Sequence, residues 1–506
     1  MAFGCRPLLC LGSLLSESNP LIQITRLLAK QLVSVIRKAL NRTKPTPVLT
    51  VRSGDEGLFV EAQAPNHAVR FHDPRSQDRD LMLIPLSLLE DVQGTKPEPV
   101  FLTRPRQGVL AASWDDKGVC REMEYDELEP VPDAPAFPDL PAQFTENSSD
   151  LLTALRNAYE TTDVGSVRYA LNCIQLRPDG VIAATDGRQL LRQSGFTFDL
   201  GEELLIQNTK FFGCKELPSD QPVRIGQLRN DKGVSEAVFQ IGPWTYWPGI
   251  QKEGRFPNVD QIIPPTHYAK CTLQLNPHDA KFLIDNMHRL PEGTTHRELT
   301  LDLNGSVVLR AASASTPRPA EMILRNSSKT GDDVRICTDR NFLARAAAMG
   351  FTEFYLPNDA SPALAVDASR TYLWMLLDQK EAIKPNDNCL RIESPFNTRS
   401  YIPPATTTRK VTPVNRISTT PPAPVSQPQA PPATSIPAEQ VVRRRKRSSS
   451  NGKATTSLEQ AISLRDQLRA ALTSSKELIR TIKTEKRGQK SLKLALASLK
   501  QLQAVA

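Results

Sequence analysis

Apolar positions recur at helical spacing in residues 25–42, TRLLAKQLVSVIRKALNR. Leu28, Leu32, Val35 and Ala39 form one stripe there, with Lys30, Ser34, Arg37 and Asn41 opposite. The same pattern predicts amphipathic helices in SSDLLTALRNAYE from Ser148 and NPHDAKFLIDNMHRL from Asn276. A second helix is predicted later in each stretch, in IPLSLLEDVQ from Ile84, IQNTKFFGCKEL from Ile206 and ICTDRNFLARAAAMG from Ile336. These three start 122 and then 130 residues apart. Between the helices, VLTVRSGDEGLFVEA, GVIAATDGRQLLRQ and LTLDLNGSVVLRA read as antiparallel strands joined by D-G and N-G turns. Phe137-Pro138-Asp139 and Phe256-Pro257-Asn258 are near-copies 119 residues apart, so the period is one domain length.

The predicted fold class is therefore α+β, with three tandem copies of helix, strands, helix, strands between residue 22 and about residue 400. An antiparallel sheet with helices on one face leaves the other for water or a neighbour. Units stacked with one curvature leave a concave surface, and closing that curvature makes a ring. The expected boundaries are an N-terminal extension at 1–21, domains at 22–142, 143–264 and 265–400, a linker at 401–454 and a helical tail at 455–506.

Composition changes this picture at the C-terminal end. Residues 403–437 hold ten of the 41 prolines, set among Ser, Thr, Ala and Gln, which predicts an extended, disordered linker. The cluster Arg443-Arg444-Arg445-Lys446-Arg447 follows; it reads either as a solvated charge run or as a set of phosphate contacts. Beyond it, Leu458, Ala461, Leu468, Leu472, Ile479 and Ile482 share a heptad stripe, broken in phase at Gly488 before Leu492, Leu496 and Leu499. A self-associating or partner-docking basic helix is expected there. Residues 403–506 carry 19 Lys and Arg against 5 Asp and Glu, while the rest of the chain carries 44 against 50. The tail is strongly basic and the body mildly acidic, so the two bear on partners separately.

Candidate chemistry is sparse. The eight cysteines form no C-x-x-C pair and read as reduced core thiols. His278, His288 and His296 lack the spacing of a metal site, so no metal and no cofactor is expected. Gly-rich phosphate loops and G-x-S-x-G are absent, and no catalytic arrangement is evident, so a non-enzymatic protein is expected. No apolar run reaches the ~18 residues of a membrane span. The opening MAFGCRPLLCLGSLLS lacks a cleavage signature; it reads as a short extension or an early start rather than a signal peptide.

RYALNC from Arg168, ATDG from Ala184 with Leu190 following, GRFPNVDQIIP from Gly254 and a closing YLWMLL from Tyr372 give the chain a resemblance to a known family. Over residues 22–378 it resembles the bacterial sliding clamp, the beta subunit of DNA polymerase III. The resemblance implies a homodimer closed head to tail around double-stranded DNA, with helices inside and sheets outside. It implies cytoplasmic, nucleoid-associated work, holding DNA polymerase and clamp loader by their short linear motifs. The implied peptide pocket comprises Leu171, Thr185, Gly187, Arg188, Gln189, Leu190, Pro264, Leu373 and Met375. Encircling DNA needs only modest basic contacts, and Lys30, Arg37, Lys44, Arg156, Lys210, Lys215, Arg289 and Arg345 are the candidates for the DNA-facing side. Arg443, Arg444, Arg445, Lys446 and Arg447 would add DNA contacts from the tail.

Two departures bear on that reading. Where the family has His-Arg after T-D-G, this chain has Arg188-Gln189, which predicts an altered pocket rim. Where the family ends, this chain runs on for 128 residues past Asp378. A rival reading is a DNA-associated structural or accessory protein that uses a degenerate clamp fold for oligomerisation and its basic tail for DNA.

Overall fold

The computed structural model describes residues 22–41, 46–130, 135–163, 165, 170–229, 235–293, 297–357 and 361–396. The chain divides into Met1–Thr406 and Thr407–Ala506, and every described residue lies in the first part. The N-terminal extension, the Pro-rich linker, Lys44, the basic cluster and the helical tail lie outside the described residues.

The order of elements repeats three times. The first segment runs β1 (Ile22–Thr25), α1 (Arg26–Ala39), β2 (Val48–Ser53), β3 (Leu58–Ala64), β4 (His67–Asp73), β5 (Asp80–Pro85), α2 (Leu86–Val92), β6 (Pro99–Arg106), β7 (Val109–Asp116) and β8 (Val119–Asp126). The second runs β9 (Thr145–Asn147), α3 (Asp150–Thr161), β10 (Cys173–Leu176), β11 (Ile182–Thr185), β12 (Gln189–Gln193), β13 (Leu204–Gln207), β14 (Val223–Arg229), β15 (Ser235–Ile241) and β16 (Trp244–Trp247). The third runs β17 (Cys271–Gln274), α4 (Pro277–Met287), β18 (Glu298–Asp302), β19 (Val307–Ala311), β20 (Ala320–Leu324), β21 (Ser328–Gly331), β22 (Arg335–Asp339), α5 (Arg340–Ala348), β23 (Glu353–Leu356), β24 (Ala363–Val366) and β25 (Arg370–Trp374). A further strand, β26 (Leu390–Glu393), follows the third segment.

Local chemistry starts these helices where the sequence places them. Thr25 Oγ1 accepts the Leu28 N–H at the head of α1, Asn276 caps α4 ahead of Pro277, and Asp339 caps α5. Leu32, Val35 and Ala39 of the predicted α1 stripe are buried, and Lys30 and Arg37 are exposed.

The predicted second helix of the middle segment does not form. Ile206 ends up in β13, and residues after Asn208 make single turns, closed by Gly213 N–H to Lys210 O and Cys214 N–H to Phe211 O. Phe211 and Phe212 are both fully buried, against Tyr246 and against each other.

The sheets show how the segments join. In each segment the first strand lies in one layer with the last three, joined in the third segment by β21, and the other middle strands form a second layer. The middle layer of one segment then shares an edge with the end layer of the next. β4 pairs with β16, giving the eight-stranded order β5-β2-β3-β4-β16-β15-β14-β9; β12 pairs with β25, giving β13-β10-β11-β12-β25-β24-β23-β17-β21. Both joints are antiparallel. Two layers are left over, β1-β6-β7-β8 in the first segment and β22-β18-β19-β20 in the third, the latter extended by β26. One apolar core spans the first two segments and another fills the third.

Candidate functional site

The joint between β12 and β25 gathers most of the implied pocket. Leu190 and Leu373 are directly opposite each other across it. Alternation along the strands gives the joint two faces. Leu191, Tyr372 and Trp374 point into the third segment's core, while Leu190 and Leu373 point the other way, into a separate cluster with Ala170, Cys173, Ala183, Leu205 and Leu364.

The segment 254–264 lies over this second cluster. Phe256 and Val259 are buried in it and Ile263 packs at its margin. Asp260 fastens the segment to the sheet, accepting from Arg177 Nη1 at 2.6 Å and Arg192 Nε at 3.0 Å. Arg177 first, then Arg192, holds the Asp260 carboxyl below its usual range against a smaller desolvation penalty. Leu190 and Leu373 are 3% exposed each, so they form a covered floor. Leu171 and Pro264 are half-buried, while Met375 is exposed. Ile262 and Tyr268 on the same connecting segment are also exposed.

The T-D-G hairpin is built from its own side chains. Thr185 Oγ1 accepts the Gly187 N–H and donates to Gln189 O, while Asp186 Oδ1 accepts the N–H groups of Arg188 and Gln189. Gly187 has φ +87°, a conformation that favours glycine. A Cβ added at Gly187 would lie 3.8 Å from Leu171 Cδ1, which places Leu171 against the turn. Met375 N–H donates to Arg188 O at 2.8 Å, tying the end of β25 to the hairpin.

Gln189 is not a rim residue. It is buried on the helix-bearing face, where its amide donates to Asp186 Oδ2 and its Oε1 accepts the Tyr372 hydroxyl at 2.6 Å. The expectation that Gln189 stands at the rim is therefore corrected, since it is buried; Arg188 is exposed. Strand alternation explains the difference, since Gln189 shares the face of Leu191 and only Leu190 shares that of Leu373.

The basic candidates divide. Lys30 on α1, Lys210 and Lys215 in the turns after β13, and Arg289 just past α4 are exposed. Arg37 is exposed but paired with Glu90 of α2. Arg156 is half-buried on α3, its Nε donating to Phe212 O at 3.3 Å.

Arg345 of α5 is not a free cation on the surface. Its guanidinium donates to the carbonyls of Asn157 and Glu160 and, at 3.0 Å, to Thr161 Oγ1, all in the last turn of α3. Glu160 O is among the four carbonyls at the helix end that lack an intrahelical partner, and Asn157 O also accepts the Thr161 hydroxyl at 2.8 Å, so a fork of N–H groups from the next segment completes the acceptors of this turn. Arg345 thus ties the second segment to the third, and its assignment to the DNA-facing set is corrected.

Sequence reasoning also missed Asp260 with its two arginines and the Gln189–Tyr372 bond. Asp260 stood inside the GRFPNVDQIIP motif, but nothing in the sequence paired it with Arg177 or Arg192.

No three His, Cys, Asp or Glu side chains among the described residues are grouped to hold a metal ion. Cys173, Cys214, Cys271 and Cys337 are buried, and burial pushes the thiols of Cys173, Cys214 and Cys337 up to about 12. No helix among the described residues is long and apolar enough to cross a membrane.

No family model and no curated protein matches the sequence. Solved structures do match. The DnaN sliding clamp of Pseudomonas aeruginosa bound to griselimycin is 16% identical, with 71% of this chain and 100% of that one covered at a TM-score of 0.58. DNA polymerase III subunit beta of Borrelia burgdorferi, in complex with a natural product, is 14% identical over 71% and 98% of the two chains, also at 0.58. The Bacillus subtilis DNA polymerase sliding clamp is 14% identical over 72% and 100%, at 0.57. The fold is that of the bacterial DNA polymerase III beta sliding clamps, carried by a divergent sequence.

Proposed function

We propose that this chain is a DNA sliding clamp-like processivity factor. Two copies encircle duplex DNA and hold a polymerase, clamp loader or repair partner by a short linear motif at the β12–β25 joint. The observation that carries the reading is that joint: a covered apolar floor of Leu190 and Leu373, with Leu171, Pro264 and Met375 partly or fully open around it. Apolar anchors of an extended peptide suit such a surface. The domains are 22–142, 143–264 and 265–400, and the work is non-enzymatic, in the cytoplasm at the nucleoid.

DNA is held weakly from the helix-bearing side by Lys30, Lys210, Lys215 and Arg289, with Arg37 and Arg156 engaged partly in protein contacts. Topology rather than phosphate affinity provides retention, so a mildly acidic body is compatible with it. The test of the joint is binding of a labelled peptide carrying a clamp-binding motif to the full chain. Leu171→Glu and Met375→Glu should each weaken it by about tenfold or more, since each puts a charge on an apolar contact. Undiminished binding in both variants would remove the joint as the docking site.

The second reading, an accessory protein that grips DNA by its tail, is motivated by the 19 Lys and Arg against 5 Asp and Glu in residues 403–506. It predicts salt-sensitive binding that does not distinguish circular from linear DNA.

A further inference from the structure

Residues beyond β25 run back over the third segment. Leu377 N–H donates to Cys337 O on β22, Ile383 N–H donates to Thr300 Oγ1 on β18, and β26 lies along β20 at the far edge of the same sheet. Among the described strand pairs this is the parallel one; the others are antiparallel. The strand is fitted to its place. Arg391 Nε donates to the buried Glu321 at 2.9 Å, joining the Glu321–Arg310–Asp302 network, and Ser394 Oγ accepts the Arg325 N–H.

The position of β26 is informative because of the repeat. Each middle layer whose edge is joined within the chain pairs with the end layer of another segment, as β4 does with β16 and β12 with β25. The middle layer of the third segment has β20 at the equivalent edge, and the end layer left without a joint is the one that finishes in β8. Within one chain β26 occupies the edge where the repeat calls for such a layer.

Both terminal edges carry the marks of an unfinished joint. β8 is an eight-residue edge strand without proline, and Val119 and Met123 on it are 53% and 40% exposed. Met123 is opposite buried Ala112, so these side chains stand on the core face. On β26, Leu390 and Ile392 are 56% and 37% exposed, opposite Ala320 and buried Met322, again on the core face. An exposed apolar edge strand is a template for another strand. Here each edge would extend the other's core. The four residues of β26 equal the length of the β4–β16 joint, and pairing β8 with β26 would join four strands to five, the size of the β12–β25 sheet.

We infer that two copies of this chain join edge to edge through β8 of one and β26 of the other, so that a strand beyond the third repeat forms the interface. The inference deepens the clamp reading and rests on it for the number of copies. The two joints are related by a twofold axis, each heterologous in strands, which closes the assembly at two copies.

The test uses the full chain, with molar mass measured by light scattering or sedimentation at a fixed concentration. The expected result is a two-copy mass for the wild type and a one-copy mass for Met123→Glu and for the double variant Leu390→Glu/Ile392→Glu, a weakening of roughly 100-fold. Because these side chains are exposed in one copy, melting of the separated chains should stay within a few degrees of the wild type. A one-copy wild type overturns the inference. So does a two-copy mass that persists in the β26 variant, which would mean that β26 is a removable cover and β20 the true edge. Retention on circular DNA is scored separately. Wild-type retention with an intact two-copy β26 variant leaves the clamp reading standing and this inference fallen; separation by the variants without wild-type retention does the reverse.

Discussion

A guanidinium set against the carbonyls that end a helix makes charge-assisted hydrogen bonds, each worth about 1.5–3 kcal/mol when buried. Arg345 does this from α5 to α3, across two segments of the repeat. Arg345→Ala should destabilise the chain by about 2–3 kcal/mol in urea unfolding, and Arg345→Lys should recover only part of it, because one ammonium cannot reach three acceptors in a plane. The sequence shows an arginine on a predicted helix, and the family resemblance makes it a candidate for DNA; the α3 terminus that claims it is 184 residues distant. His67 is a second case. Its Nδ1 accepts the Gly249 N–H at 3.0 Å beside the Tyr246 hydroxyl, and burial lowers its pKa from 6.5 to about 4. The unfolded chain therefore takes up a proton between pH 6.5 and 4 that the folded chain refuses. Stability from the neutral imidazole is complete above pH 6.5 and falls, by on the order of 3 kcal/mol, as pH drops through that window. Urea midpoints at pH 7 and pH 4.5 check this, and His67→Asn should flatten the difference.

At the scale of elements, the D-G and N-G hairpins and the capped helices were legible because their signals are local. Gly187 shows why: its φ of +87° and the Asp186 side chain's bonds to the next two N–H groups are settled within four residues. Gly187→Ala has room for its Cβ, with Leu171 3.8 Å away, but must hold a left-handed backbone. It should cost about 1 kcal/mol in urea unfolding without loss of the hairpin. The missing middle helix was not legible, since the rings that Phe211 and Phe212 pack against, Tyr246 and Phe239, come from distant strands. The proposed pocket was legible in part. Its motif residues do meet at one joint, but which face each takes depends on strand register, and register put Gln189 on the wrong side for a rim. Parallel pairing of β26 left no sequence signal, because residues 390–393 show only alternation, and their partner lies 70 residues upstream.

The described residues form a threefold repeat whose internal joints are sheet edges, with β8 at the edge of the first layer and β26 at the edge of the last. The clamp reading follows if those ends close on a second copy, and it makes DNA retention a matter of topology. Salt should then weaken loading contacts from Lys30, Lys210, Lys215 and Arg289 without releasing a closed assembly. The most direct measurement is retention of the full chain on nicked circular and on linear DNA at high salt, after loading with a clamp loader and ATP. The account predicts that the protein stays on the circle and is lost when the same DNA is linearised. Equal loss from both, in a preparation that is two-copy by mass, would contradict it and assign DNA binding to the basic tail.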